Sequence, residues 1–113
     1  MSRLASSLVR LQALLAPGEL RLEEAFCESF AGDKWFAARR PDGVVLARSA
    51  ASVAAVLRFA HQHRIPVTAR GTGYGYVGSC VPNRGGLVLS LERMRRIKEI
   101  NAEDFVAVVQ PGV

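Results

Sequence analysis

The sequence predicts an α+β fold, built from a small β-α-β sheet, a glycine-rich loop and the start of an antiparallel sheet. Three observations carry that prediction. Pro41-Asp42-Gly43 is a turn signal that runs into the apolar Val44-Val45-Leu46-Ala47, a short buried strand. Ser49 can then cap a helix that Pro66 stops, with a second strand over residues 65–69. Residues 97–100 and 105–109, joined through 101–104, read as a hairpin.

At 113 residues the chain is one domain at most, or part of one. Half of it is hydrophobic and 22% is charged, too apolar for intrinsic disorder, so a real core is expected. An enzyme of several hundred residues is excluded, and any chemistry is small or borrowed from a partner. Cys27 and Cys80 lie far apart with no Cys or His at ligand spacing, which argues against a disulfide framework or a structural zinc site. A reducing cytoplasm fits that usage best. No metal site is expected. The first apolar run contains Arg3 and Arg10 and is too short and polar to span a bilayer, and no small-residue cleavage pattern with a clean apolar core is read before it, so a soluble chain is expected.

Element by element, Leu4, Leu8, Leu11 and Leu15 recur at helical spacing, giving an amphipathic helix over 4–16 that Pro17-Gly18 ends. Residues 20–30 continue as a second short helix closed by Gly32-Asp33. These first 40 residues are expected to form an N-terminal helical segment, with the texture changing from Arg39 and the next domain taken from position 41. In the helix after Ser49, Val53, Val56, Leu57 and Ala60 make the inward stripe. Gly85-Gly86 leads into a third strand over 87–91, followed by a basic turn, Arg93-Met94-Arg95-Arg96. Pro111-Gly112 opens a turn toward a further element, so the fold is expected to be incomplete at its C-terminus.

Charge is uneven. Through Asp33 five acids face three bases, whereas from Lys34 onward twelve bases face five acids. Such a field attracts nucleic acid, an anionic surface or a phosphorylated cofactor, or is simply a solvated face. The residues that discriminate are Arg70-Gly71-Thr72-Gly73-Tyr74-Gly75-Tyr76-Val77-Gly78, with four glycines in eight positions directly after a strand. Glycines let backbone N–H groups approach a ligand closely, and oriented N–H groups form a nest for anions. Phosphate or pyrophosphate is the ligand class, with Arg70 adding charge at the rim. A Walker loop fails because no lysine lies between Lys34 and Lys98. Gly73-Tyr74-Gly75-Tyr76-Val77-Gly78 matches the dinucleotide pattern, but only eight residues separate Gly78 from Leu87, too few for a crossover helix.

These residues closely resemble another family. Ile65-Pro66-Val67, Arg70 to Gly75, Val81-Pro82, Gly85-Gly86-Leu87-Val88-Leu89 and Val109-Gln110-Pro111-Gly112-Val113 occur in the order seen in the FAD-linked oxidases of the vanillyl-alcohol oxidase and p-cresol methylhydroxylase type. Within that family the texture is most similar to the branch of the glycolate oxidase D subunit and D-lactate dehydrogenase. The resemblance covers 41–113 and implies the first part of a p-cresol methylhydroxylase type FAD-binding domain. It implies that the loop from Gly71 through Gly78, with Ser79, wraps the FAD pyrophosphate, making Arg70, Gly71, Thr72, Gly73, Tyr74, Gly75, Tyr76, Val77, Gly78 and Ser79 the cofactor contacts. Members that attach flavin through this loop carry a histidine after its Gly-x-Gly. Tyr74 stands there, so non-covalent FAD is expected. The implied reaction is oxidation of a small 2-hydroxy acid such as glycolate or D-lactate. Its catalytic residues are implied to lie beyond Val113, supplied by the rest of a longer chain or by a partner subunit.

The remaining reactive side chains are read as structural. His61 and His63 are solvated helix-end residues, Cys80 is a small packed filler, Cys27 is core, and Trp35 and Phe36 pack the N-terminal segment. Arg93, Arg95, Arg96 and Lys98 form a solvated turn. The competing readings are a basic nucleic-acid-binding module, which explains the charge but not the glycine spacing, and a non-functional truncated remnant.

Overall fold

Val44, Val45 and Leu46, and Leu87, Val88 and Leu89, are all buried, and the reason is that helices cover both faces of the strands that contain them. The computed structural model describes residues 2–32, 37–75 and 78–113. In chain order its elements are α1 (Arg3–Gln12), β1 (Leu20–Arg21), α2 (Glu24–Glu28), β2 (Gly43–Leu46), α3 (Ala50–His63), β3 (Val67–Arg70), β4 (Leu87–Ser90), β5 (Ile97–Asn101) and β6 (Val106–Val109). The main sheet has the order β1-β2-β4-β3, with β2, β4 and β3 parallel and β1 antiparallel to β2.

Side-chain alternation divides the core into two layers. Val45, Ala47, Leu87 and Leu89 face Leu8 and Leu11 of α1 and Val56, Phe59 and Ala60 of α3. Val44, Leu46 and Val88 face Cys27 and Phe30, with Phe26 packed alongside. The α1 stripe is as the leucine spacing predicts, with Leu4 and Leu15 partly buried against the same cluster. The helix is shorter than 4–16, however, and begins at the Ser2 cap, whose side chain accepts the Ala5 N–H at 3.0 Å.

Three expectations are corrected. Residues 20–30 are not one helix: Leu20 and Arg21 pair with Val45 and Val44, and only Glu24–Glu28 is helical. The edge of β2 needs hydrogen-bond partners, and satisfying them outweighs local helix propensity. On α3, Leu57 is 47% exposed while Phe59 is 6% exposed, so the inward stripe rotates toward Phe59. His63 is not merely solvated, since its ring lies 4.1 Å from that of Phe59.

Strand β4 inserts between β2 and β3, and it is parallel to both. The chain therefore returns from the end of β3 to the start of β4 through residues 71–86, and no helix occurs there among the described residues. The glycine-rich segment is itself the crossover. Beyond the main sheet, β5 and β6 form the expected antiparallel hairpin, closed by mutual Asn101 and Asp104 hydrogen bonds of 3.0 Å. Ile100 is 73% and Phe105 95% exposed, and the radius of gyration is 15.0 Å, against about 13 Å for a compact domain near this size. The described residues contain no helix long and apolar enough to cross a membrane.

Candidate functional site

The three parallel strands end in register, with Leu46, Ser90 and Arg70 side by side. From that carboxyl edge the chain leaves in three directions: from β2 into the N-terminus of α3, from β4 into the 91–94 turn, and from β3 into the glycine loop. In open α/β sheets this edge is where ligands bind.

Two of the loop's described glycines require positive φ, Gly73 at +82° and Gly78 at +74°. A side chain at either position would strain the backbone. Among the described residues, the N–H groups of Gly71, Thr72, Gly73, Gly75 and Ser79 donate to no protein acceptor. Thr72, Tyr74, Gly75 and Ser79 are exposed, Gly71 and Gly73 half-buried, and Gly78 buried. Tyr76 and Val77, also expected in the site, lie outside the described residues, as do Trp35 and Phe36. The arrangement is a row of unspent donors at a sheet edge, which suits an anion with several oxygens.

Arg70 does more than stand at the rim. Its Nη1 donates to the Gly32 carbonyl oxygen and its guanidinium lies 5.1 Å from the Phe30 ring centroid. A Cβ on Gly73 would fall 2.7 Å from Arg70 Cζ, so the guanidinium fills the space that glycine leaves. Arg70 thus ties the loop to the α2 side of the sheet and holds positive charge against its backbone.

Sequence reasoning missed two contributors. Gly112 is wedged into the 91–94 turn: its N–H donates to Met94 O at 2.9 Å, and a Cβ would meet the carbonyl oxygens of Leu91, Met94 (2.8 Å) and Glu92 (2.9 Å). Pro111 O lies 3.6 Å from where a Gly71 Cβ would be. The Pro-Gly pair therefore packs back against the glycine loop; its spacing in sequence signals only a turn.

The second is Glu19, 1% exposed. Its carboxylate accepts from Ala16 N (2.9 Å), Ser52 Oγ (3.0 Å) and Arg48 N (3.1 Å). Burial opposes its charge, but the Ser52, Ala16 and Arg48 hydrogen bonds and the charge of Arg48 outweigh it and hold the carboxyl below its usual range. Glu19 thereby supplies an internal anion at the positive end of α3. The helix terminus is therefore already satisfied by a protein carboxylate.

Both cysteines are buried, and burial raises the Cys27 thiol above its ordinary value, which makes it unreactive. Among the described residues no group of three metal-ligating side chains comes together.

A family described as FAD binding domain matches residues 41–113. The chain belongs to that FAD-binding family. Its cofactor is FAD. The glycolate oxidase subunit GlcD of Bacillus subtilis is 40% identical over 73 residues, covering 65% of this chain and 16% of the relative. A D-lactate dehydrogenase of Anaerostipes hadrus is 35% identical over 101 residues, covering 88% and 21%. Among solved structures, p-cresol methylhydroxylase with substrate bound superposes with a TM-score of 0.78 at 24% identity, over 96% of this chain and 22% of the other. The 4-ethylphenol oxidase of Gulosibacter chungangensis gives 0.73 at 29% identity, again over 96% and 22%. The chain spans less than a quarter of the length of each of these relatives.

The residues present fit the FAD-binding family's cofactor. A pyrophosphate carries several anionic oxygens, and the loop offers adjacent backbone donors on glycines that allow close approach.

Proposed function

We propose that this chain holds the FAD pyrophosphate in an oxidoreductase that acts on a small 2-hydroxy acid such as glycolate or D-lactate. The observation that carries the reading is the row of undonated N–H groups at Gly71, Thr72, Gly73, Gly75 and Ser79, at the carboxyl edge of a parallel sheet in an FAD-binding family member. Tyr74, Tyr76, Val77 and Gly78 complete the wrapping segment, and Arg70 is a positioning residue that braces Gly73. FAD, when bound, supplies the redox chemistry by taking two electrons from the substrate. The chain's own part is to fix the pyrophosphate, to set the loop's backbone in advance, and to neutralise negative charge with Arg70. The flavin is held without a covalent bond at Tyr74.

The 2-hydroxy acid assignment is supported by the two relatives, one named as a glycolate oxidase subunit and one as a D-lactate dehydrogenase. Residues 41–113 form the flavin-binding portion, and residues 1–40 contribute α1, β1 and α2, which extend its sheet and cover both faces. The catalytic groups come from outside these residues, in a longer chain or a partner subunit. Cys27 and Cys80, both buried and outside any disulfide, suit the cytoplasm.

The test is to titrate the protein, within the longer chain or complex that supplies the catalytic groups, with FAD by fluorescence quenching, and then to add glycolate or D-lactate anaerobically and follow bleaching of the flavin absorbance. Saturable FAD binding lost in Gly73→Val supports the loop assignment, and yellow colour left in the supernatant after acid precipitation supports non-covalent attachment. Unchanged FAD affinity in Gly73→Val removes the loop from the site. Colour that stays with a peptide containing Tyr74 refutes the attachment. Bleaching by neither acid overturns the substrate assignment while leaving the flavin reading intact.

A further inference from the structure

The opposite edge of the main sheet carries a second concentration of charge. Asp42 precedes β2, Pro66 precedes β3 and Gly86 precedes β4, so these three residues mark the amino ends of the parallel strands, away from the glycine loop. Together with one face of α1 and the end of α3 they line a cleft of about 650 Å³. Its walls include Arg3, Arg10, Arg64 and Arg84, with the apolar Leu4 and Ile65 between them. Arg3, Ser7 and Arg10 share one face of α1 through their i, i+4, i+7 spacing.

Among the described residues none of these four arginines pairs with a carboxylate; the ion pairs there are Arg21–Glu23 and Arg40–Glu24. Asp42 is the one acidic side chain lining the cleft, and its Oδ2 already accepts the Gly86 N–H at 2.7 Å. Four arginines lining one concavity repel each other and lower the free energy of a bound anion by the same field. Guanidinium forks engage phosphate or carboxylate oxygens in pairs, which an ammonium does not do. The volume lies within the range of about 300–1,000 Å³ usual for small-molecule sites, and the apolar patches could pack the body of a ligand.

We propose that this amino-edge cleft binds a small multivalent oxyanion, separately from FAD, through Arg3, Arg10, Arg64 and Arg84. The site does not depend on the flavin assignment, because it uses none of the glycine-loop residues.

The experiment titrates the full chain with inorganic tripolyphosphate and with citrate by isothermal calorimetry, with and without saturating FAD, in the wild type and in Arg3→Gln/Arg84→Gln. Both substituted side chains are exposed and make no hydrogen bond, so the fold is expected to persist, and circular dichroism verifies it. The expected result is one saturable site that FAD does not displace and that the double variant weakens about tenfold or more, as loss of two charge-assisted contacts implies. FAD affinity stays unchanged in the same variant. Tripolyphosphate binding tighter than citrate identifies a phosphorylated ligand, and the reverse a polycarboxylate; either supports the site. Binding that FAD displaces, or that the double variant leaves unchanged, places the anion elsewhere and overturns the proposal. An oligoglutamate peptide binding more tightly than both small anions overturns it too, in favour of an acidic protein partner.

Discussion

Replacing Gly73 with alanine tests whether the loop is held by its backbone and by Arg70 together. Gly73 has φ +82°, and an L side chain in the left-handed region costs about 1–2 kcal/mol. The added Cβ would lie 2.7 Å from Arg70 Cζ, so the guanidinium must also move. In moving it gives up its hydrogen bond to the Gly32 carbonyl, worth about 1.5–3 kcal/mol for a charged donor, toward the low end because Arg70 is only half-buried. Gly73→Ala should therefore destabilise the chain by about 3 kcal/mol. Arg70→Ala alone should cost about 1.5 kcal/mol. In the double variant the clash has no partner, so only backbone strain adds to the loss of Arg70, and the combined cost of about 3 kcal/mol is clearly less than the separate costs predict. Urea unfolding followed by circular dichroism measures all three variants. A cost below about 0.5 kcal/mol for Gly73→Ala, or one unaltered by prior removal of Arg70 while exceeding backbone strain alone, would refute the bracing role.

Three further outcomes follow from the same geometry. Glu19 has a lowered folded-state pKa, so its contribution is complete above the ordinary value of 4.5 and fades as pH falls through the folded value; the stability gap between wild type and Glu19→Gln should be about 1.5–3 kcal/mol at pH 7 and narrow below pH 4.5, as pH-dependent urea midpoints would show. Gly112→Ala drives a Cβ toward three backbone carbonyl oxygens and should weaken FAD binding as well as stability, since Pro111 abuts Gly71; normal FAD affinity in a folded Gly112→Ala protein would separate the chain end from the site. Phe105 has φ 56° and is 95% exposed at the hairpin tip, so Phe105→Asn should stabilise by about 0.5–1 kcal/mol and improve solubility, measured by thermal melting and sedimentation.

What the residues determine alone is whatever depends on local patterning. The apolar runs at 44–46 and 87–89 are continuous because both faces of their strands are covered, and that continuity is visible without a structure. The Ser49 cap, the leucine stripe of α1, the hairpin and the glycine loop are likewise local, and the ordered motifs over 41–113 were enough to point to an FAD-binding family. Tertiary structure decided what depends on distant partners. Leu20 and Arg21 became a strand because β2 had an unpaired edge. Glu19 became a buried carboxylate because Arg48 and Ser52 were brought to it from about thirty positions along the chain. Gly112, which reads as the start of a turn, proved to be a wedge against the 91–94 carbonyls. The amino-edge cleft joins Arg3 and Arg10, from the net acidic end of the chain, to Arg64 and Arg84. Charge counted along the sequence separates those residues; the packing of α1 beside α3, together with the parallel order β2-β4-β3 that puts the starts of all three strands on one side, brings them together.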